Sequence, residues 1–153
     1  MDRKIIISQP KDADIVYEIT QVTINMVYPK YYPVGAVEFF SQHHSMDKIV
    51  SDIANGNVYL LNVDGKTVGT VTVAENHICR LFVLPECQHQ GFGKALMDFA
   101  EEKIFSSFDT IELDASFPAK RIYLKRGYTE IEYNVIDAAN GDHLCYDVMR
   151  KIH

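Results

Sequence analysis

The chain has 153 residues, a formal net charge of −6 and 47% hydrophobic residues. This length and apolar content predict one domain over residues 1–153 with a sizeable core, and the acidic balance disfavours nonspecific binding to nucleic acid. The first apolar stretch is too short for a signal peptide or a membrane span, and three unpatterned cysteines are typical of reduced thiols in a cytoplasmic protein.

The first third of the chain is predicted to be mainly helical. The run Ile5–Ile7 predicts a short buried strand, and Pro10 with Asp12 marks the start of a helix. Two prolines break the helical pattern between residues 28 and 33. Helices are expected again over 34–43 and 46–54, the second with a serine N-cap. The first helix is expected to bury a stripe formed by Ile15, Ile19, Val22 and Met26.

Strands and helices alternate in the rest of the chain. Asp64-Gly65 and Asn140-Gly141 each lie between two strand-like runs, which is typical of tight hairpins. This order predicts an α/β (α+β) sandwich with a mixed sheet. The predicted strands cover residues 58–63, 67–74, a run through 83, 110–115, 129–137 and 143–149, with helices over 94–106 and around residue 123.

The segment from Gln88 to Lys94 follows an apolar strand-like run and opens a helical pattern. The first N–H groups of a helix have no internal partners and carry partial positive charge, so they favour a phosphate. Gly91 and Gly93 would let that ligand approach the backbone closely. The dinucleotide pattern G-x-G-x-x-G and the P-loop are both absent. An ordinary helix start with a tight turn is the alternative.

This segment resembles Q/R-x-x-G-x-G/A, the acyl-CoA pyrophosphate loop of the GNAT (Gcn5-related N-acetyltransferase) superfamily. A second block, Ala119 to Tyr128, resembles the later family signature A-x-x-x-Y-x-x-x-G-F/Y, and both blocks occur in the family's order. The resemblance covers most of residues 57–149. It implies a mixed, mostly antiparallel central sheet flanked by helices, and an N-acetyltransferase that uses acetyl-CoA as co-substrate without a metal.

The resemblance also implies which residues bind the cofactor. In this family the strand before the loop splays from its neighbour and frees backbone groups for the pantetheine arm and the thioester carbonyl. Ser116 stands where many relatives carry an asparagine that contacts the CoA arm, and its hydroxyl reaches less far. The implied cofactor residues are Phe82, Val83 and Leu84 on the strand, Gln88, His89, Gln90, Gly91, Phe92, Gly93 and Lys94 in the loop, and Ser116.

Three residues are candidates for proton transfer. By position Tyr123 resembles the family tyrosine that protonates the leaving thiolate, although a core tyrosine is the plainer interpretation. The attacking amine must lose a proton to a base or a water chain. Asp114 is one candidate base, since desolvation would raise its pKa, and His77 is another, since histidine titrates near neutral pH. Glu38 and Glu75 are further options.

The substrate end is the least defined part of the sequence. Five aromatic residues between positions 25 and 45 predict either an aromatic-lined cleft for a small-molecule or protein amine, or ordinary core packing. The adjacent His43 and His44 would project in different directions, so a metal site is disfavoured and a surface or helix-end position is expected. Two other functions are open, a CoA-binding sensor without turnover and a nucleotide-binding domain without acyl chemistry. A homodimer through sheet pairing is a further expectation.

Overall fold

The computed structural model describes residues 1–153 as a single seven-stranded sheet with helices on both faces. Its strands are β1 (Arg3–Ile7), β2 (Val58–Val63), β3 (Lys66–Ala74), β4 (His77–Val83), β5 (Thr110–Ala115), β6 (Thr129–Asp137) and β7 (His143–Ile152). Its α-helices are α1 (Ala13–Val27), α2 (Val34–His43), α3 (Met46–Ala54), α4 (Phe92–Phe105) and α5 (Phe117–Lys125).

The strand order is β1-β2-β3-β4-β5-β7-β6. Every neighbouring pair is antiparallel except β4 and β5, which are joined through α4 as a parallel pair requires. The predicted mixed, mostly antiparallel sheet flanked by helices is therefore confirmed.

The larger core lies between the sheet and α4. Leu96, Ala100 and Ile104 of this helix are fully buried against strand residues such as Val71 and Leu113. Complete burial of a Leu or Ile side chain contributes about 1.5–3 kcal/mol of transfer free energy. This packing holds α4, and with it the loop that precedes the helix, firmly on the sheet. None of the helices combines the length and the hydropathy that a bilayer crossing requires.

Helix α1 buries a face that matches the predicted stripe only in part, since Ile15 and Val22 are half-buried. Ile19 is buried as expected, but Met26 is 59% exposed, and two threonines take inward positions instead. Thr20 Oγ1 donates to Val16 O at 2.7 Å, and Thr23 Oγ1 donates to Val83 O at 3.4 Å. Since both hydroxyls find acceptors, burial costs them little, and hydrophobicity alone does not identify the inward face.

Strand β1 lies at the edge of the sheet, so its prediction as a buried strand is wrong. It pairs with β2 alone, and Ile6 and Ile7 are 42% and 53% exposed. An edge strand has no neighbour on one side, which leaves apolar side chains partly in water.

The predicted hairpin turn at Asp64-Gly65 and the predicted cap at Ser45 are confirmed, whereas Asn140-Gly141 lies in a longer loop between β6 and β7 that contains a 3-10 turn. Asp64 and Gly65 have φ of 48° and 82°, as a type I′ hairpin turn requires. Ser45 Oγ accepts from Lys48 N–H at 3.3 Å and caps α3.

Candidate active site

Strands β4 and β5 pair over a short stretch and then separate. His77 lies opposite Glu112 and Ile78 opposite Leu113, and no further residue pair joins the two strands. Beyond that point β4 continues to Val83 with only β3 beside it. The two parallel strands therefore diverge and leave a gap between them, which is the splay expected from the family resemblance.

A β-bulge marks the point where β4 leaves β5. In the register with β3, Ile78 lies opposite Val73 and Arg80 lies opposite Thr72, so Cys79 has no opposite residue. A bulge of one residue bends its strand and increases the local twist. The extra residue at Cys79 thus gives a physical cause for the divergence.

A cavity of about 610 Å³ occupies the gap. It is lined mainly by hydrophobic side chains, with a smaller number of polar groups, as is typical of small-molecule sites. The walls come from both diverging strands, the loop before α4, helix α5 with its N-cap residue, the segment between residues 23 and 44, and strands β6 and β7.

The loop before α4 presents six consecutive backbone N–H groups without a partner. None of the N–H groups from His89 to Lys94 donates a hydrogen bond within the protein, and no side chain caps the helix. Left-handed φ values of 62° at His89 and 83° at Gly91 alternate with ordinary ones, a pattern that turns successive N–H groups toward a common side. A Cβ added at Gly93 would meet no protein atom within 4 Å. The arrangement can hold an anionic group.

The predicted loop residues divide into three groups by their surroundings. Gln88, His89 and Gly93 line the cavity. Phe92 is buried in the main core, with the Arg3 guanidinium 4.9 Å from its ring centroid. The remaining residues, Gln90, Gly91 and Lys94, are exposed, and Lys94 Nζ lies 2.7 Å from the Asp98 carboxylate.

The main chain of β4 alternates in the direction of its hydrogen bonds. Leu84 N–H donates to Val68 O at 2.9 Å, so Leu84 and Phe82 bond toward β3, and Val83 faces the gap. Val83 O already accepts from Gln88 Nε2 at 3.1 Å, which ties the loop to the end of the strand. Of the three predicted strand residues, Val83 therefore offers its N–H to the gap, whereas Phe82 lines the cavity with its side chain.

Helix α5 places Ser116 and Tyr123 at the cavity. Ser116 is the N-cap residue, yet its side chain does not cap the helix. Instead Phe117 N–H donates to Tyr32 Oη at 2.6 Å, and the Ser116 hydroxyl lies near the Tyr28 phenol. Burial raises the pKa of the Tyr123 phenol, so this side chain stays protonated at neutral pH.

The two predicted bases occupy different positions. Asp114 lines the cavity, whereas His77 does not, and His77 Nε2 lies 3.3 Å from Glu112 Oε2. Burial raises the pKa of the Asp114 carboxyl, and the nearby His77 and His43 oppose that rise. Asp114 is the better placed of the two to take a proton inside the cavity.

The aromatic segment, residues 28–40, serves both of its predicted roles, core packing and cleft lining. Tyr28, Tyr32 and Phe40 pack on one another, with ring centroids 4.7–5.6 Å apart, and Phe40 and Tyr28 also touch the cavity. Tyr31 and Phe39 line the cavity more openly, and Tyr31 is 51% exposed. The segment is thus both a core and a cavity wall.

Sequence reasoning missed two polar residues of the cavity wall, His44 and Arg80. Both are buried, and Arg80 donates from Nη2 to Asp52 at 2.9 Å and from Nη1 to Thr72 Oγ1 at 2.8 Å. An arginine inside an apolar strand run was the available indication. Its partner on α3 could not be identified without the fold. No group of three or more His, Cys, Asp or Glu side chains is arranged to hold a metal ion.

Comparison with known proteins gives a family match over most of the chain. The sequence model of the acetyltransferase (GNAT) domain matches residues 27–145. The UPF0157 protein YqkA of Bacillus subtilis is 26% identical over 141 aligned residues, and the match covers 87% of this chain and 39% of that protein. The chain thus spans about two fifths of the length of this curated relative.

Solved structures agree with this match. A GCN5-related N-acetyltransferase of Rhodopseudomonas palustris, also named aminotransferase class-II, superposes with a TM-score of 0.90 at 22% identity and covers 100% of this chain and 97% of its own. The PaiA N-acetyltransferase of Thermoplasma acidophilum, in complex with coenzyme A, gives a TM-score of 0.73 at 20% identity, with both chains fully covered. At these identities the likeness establishes the fold.

Proposed function

The chain belongs to the GNAT acetyltransferase family, and on that premise we propose that it moves an acetyl group from acetyl-CoA to a primary amine by direct attack. The run of unpartnered N–H groups from His89 to Lys94, beside the cavity, is the observation that carries this proposal. A helix start of this kind stabilises a diphosphate by hydrogen bonds and by the helix dipole.

The residues present fit the cofactor at both ends of its path. The loop offers N–H donors and open space at Gly93, and the gap beside β4 is wide enough to form a continuous cavity. Anchoring the diphosphate far from the thioester positions the reacting carbon and uses remote binding free energy for orientation.

Val83 N–H is the proposed donor to the thioester carbonyl. Its direction follows from the alternation along β4, and it faces a gap that no strand fills. The carbonyl oxygen gains negative charge as the amine attacks, so a fixed N–H donor stabilises the transition state more than the ground state.

Tyr123 is the proposed donor to the leaving sulfur. A thiol has an ordinary pKa of about 8.5, below that of a phenol, so complete proton transfer from tyrosine to thiolate is unfavourable. Burial raises the pKa of Tyr123 further. We therefore assign Tyr123 a hydrogen bond to the departing thiolate, which lowers the barrier to departure and needs no full transfer.

Asp114 is the proposed acceptor of the amine proton, directly or through a water molecule. An alkylamine is largely protonated at neutral pH and must become neutral before it attacks. Burial raises the pKa of Asp114, which makes its carboxylate a stronger base than an ordinary aspartate.

Calorimetry with coenzyme A, followed by a thiol-release assay with acetyl-CoA and a panel of amines, tests the function. We expect binding of coenzyme A and turnover with at least one amine class among alkylamines, polyamines, amino acids and peptides with free N-termini. Binding without any turnover would favour a CoA sensor. Thermal stabilisation by ATP or NAD alone would refute the acetyltransferase.

A further inference from the structure

His44 lies at the C-terminal end of α2, in the wall of the cavity. Its exposed fraction is 8%, and its ring meets the edge of Phe82 with centroids 5.8 Å apart. The position at the end of α2 is the helix-end position expected from sequence, but the side chain is buried in the cavity wall and does not lie on the surface. A polar ring this deeply buried needs a partner for each nitrogen or contact with a ligand.

A chain of hydrogen bonds fixes the tautomer of His44. Arg80 Nε–H donates to His44 Nδ1 at 3.4 Å, and a guanidinium can only donate. His44 Nδ1 must therefore be the unprotonated nitrogen, so the proton of the neutral ring is on Nε2. Asp52 and Thr72 hold the Arg80 side chain in place, which makes the assignment rigid.

The other nitrogen of His44 has no protein partner. Nε2 forms no hydrogen bond with the protein. Every side-chain nitrogen or oxygen atom of the protein that is completely inaccessible to solvent does have a hydrogen-bond partner, so Nε2 is not one of those inaccessible atoms. The Nε2 atom must consequently be reached from the cavity that His44 lines. An N–H donor on a ring that is more than nine-tenths buried thus remains available to a ligand.

We propose that His44 Nε2–H is a fixed, uncharged hydrogen-bond donor to a carbonyl oxygen of the bound substrates. The carbonyl belongs to the acyl-CoA arm or to the amine acceptor, and the proposal rests on the acetyl-transfer function above. This role is binding and orientation, and differs from the proton transfers assigned to Tyr123 and Asp114.

The charges around His44 keep its ring neutral. Burial, which is the largest cause, and the charges of Arg80 on β4, His43 on α2 and Lys48 on α3 together lower its pKa to about 3. Because the ring gains no proton between pH 5 and pH 8, the donor strength of Nε2–H is constant over that range.

The tautomer can be measured on the wild-type protein without any substrate. We expect the imidazole ¹⁵N shifts of His44 to indicate the neutral Nε2–H form and to stay unchanged from pH 5 to pH 8. A protonated ring in that range, or a proton on Nδ1, would refute the proposal whether or not the protein is an acetyltransferase.

A pair of variants tests the donor itself. His44→Phe removes the N–H, and His44→Gln keeps an amide N–H at similar reach. We expect the Phe variant to lose about 5- to 30-fold in the affected binding constant and the Gln variant to recover most of it. The exposed His143, away from the cavity, provides the matched control His143→Phe, and thermal unfolding checks that each variant is folded.

Three measurements locate the carbonyl. If His44→Phe binds acetyl-CoA more weakly but coenzyme A as well as wild type does, the carbonyl is that of the acetyl group. If both ligands bind more weakly by the same factor, the carbonyl belongs to the pantetheine arm. A raised KM for the amine, with both cofactor constants unchanged, assigns it to the acceptor. If the Phe variant matches wild type in all three, or if Gln behaves like Phe, the proposal is wrong. A wild-type protein that binds no coenzyme A contradicts the proposed function instead.

Discussion

Two helices begin beside the gap between β4 and β5, and their first turns are completed in opposite ways. At the start of α4 six N–H groups have no protein partner. At the start of α5 the Phe117 N–H is taken by the hydroxyl of Tyr32, a residue 85 positions earlier. The α4 terminus is thus open to an anion, whereas the α5 terminus anchors the aromatic segment to the helix that carries Tyr123.

The largest expected effect comes from closing the open terminus. Gly91→Val places a β-branched residue at φ of 83°, a strained conformation, and the N–H groups around it must turn away. We expect affinity for coenzyme A to fall about 100-fold or more, as a diphosphate loses several charge-assisted hydrogen bonds. Calorimetry measures the loss. His89→Ala is the control in the same loop, and an equal loss there would contradict the assignment to the main chain.

The next largest effect is expected for a substitution of Tyr123 on α5, the helix whose first turn is bonded to Tyr32. Tyr123→Phe removes the phenolic hydroxyl but keeps the aromatic ring, whose centroid lies 5.7 Å from that of Tyr128. We expect kcat to fall about 100-fold while affinity for coenzyme A is retained, since the proposed role of the hydroxyl is a hydrogen bond to the leaving sulfur. Steady-state kinetics and calorimetry separate the two quantities. An unchanged kcat would remove Tyr123 from the mechanism.

A third, smaller effect is expected for Asp114→Asn, which changes a carboxylate in the cavity wall on β5. The carboxylate must be ionised to accept a proton, so kcat/KM of the wild type should rise as the pH passes through the raised pKa of Asp114. The Asn variant should lose this rise in the pH profile and about 10- to 100-fold of activity. Ionisation costs more in the folded state than in the unfolded state, so above this pKa the carboxylate destabilises the fold. The Asn variant should therefore unfold at the same temperature as wild type or a higher one at pH 7. A lower melting temperature with unchanged activity would indicate a structural role.

The smallest effect is expected at the Tyr32 hydroxyl. Tyr32→Phe leaves Phe117 N–H without its acceptor and should cost about 1 kcal/mol, which corresponds to about 2–4 °C in melting temperature for a chain of this size. Affinity for coenzyme A should not change, because the α4 terminus is intact. Scanning calorimetry gives the first value and a binding titration the second. Reduced cofactor affinity would mean that the two helix starts are not independent.

The elements that could be predicted from the sequence are those with short-range causes. The hairpin at Asp64-Gly65 and the cap at Ser45 each depend on residues within a few positions, and both are confirmed. The loop from Gln88 to Lys94 was located for the same reason, because a strand, two glycines and a helix start are adjacent in the chain.

The features that could not be predicted depend on distant partners. The bulge at Cys79 exists only in the register with β3, and nothing in the local sequence of β4 indicates it. The inward position of His44 follows from Arg80 and Asp52, which come from two other elements. The exposure of Ile6 and Ile7 depends on strand order, which hydrophobicity does not encode.

The separation of β4 from β5 has a consequence for the stability of the folded chain. Main-chain groups along the gap form no ladder, so the empty protein lacks hydrogen bonds that a closed parallel pair would supply. A molecule that fills the gap binds only the folded state and stabilises it by mass action, by about 2.7 kcal/mol at a hundred times its dissociation constant. Resistance to heat and to proteases would then report how much cofactor surrounds the protein.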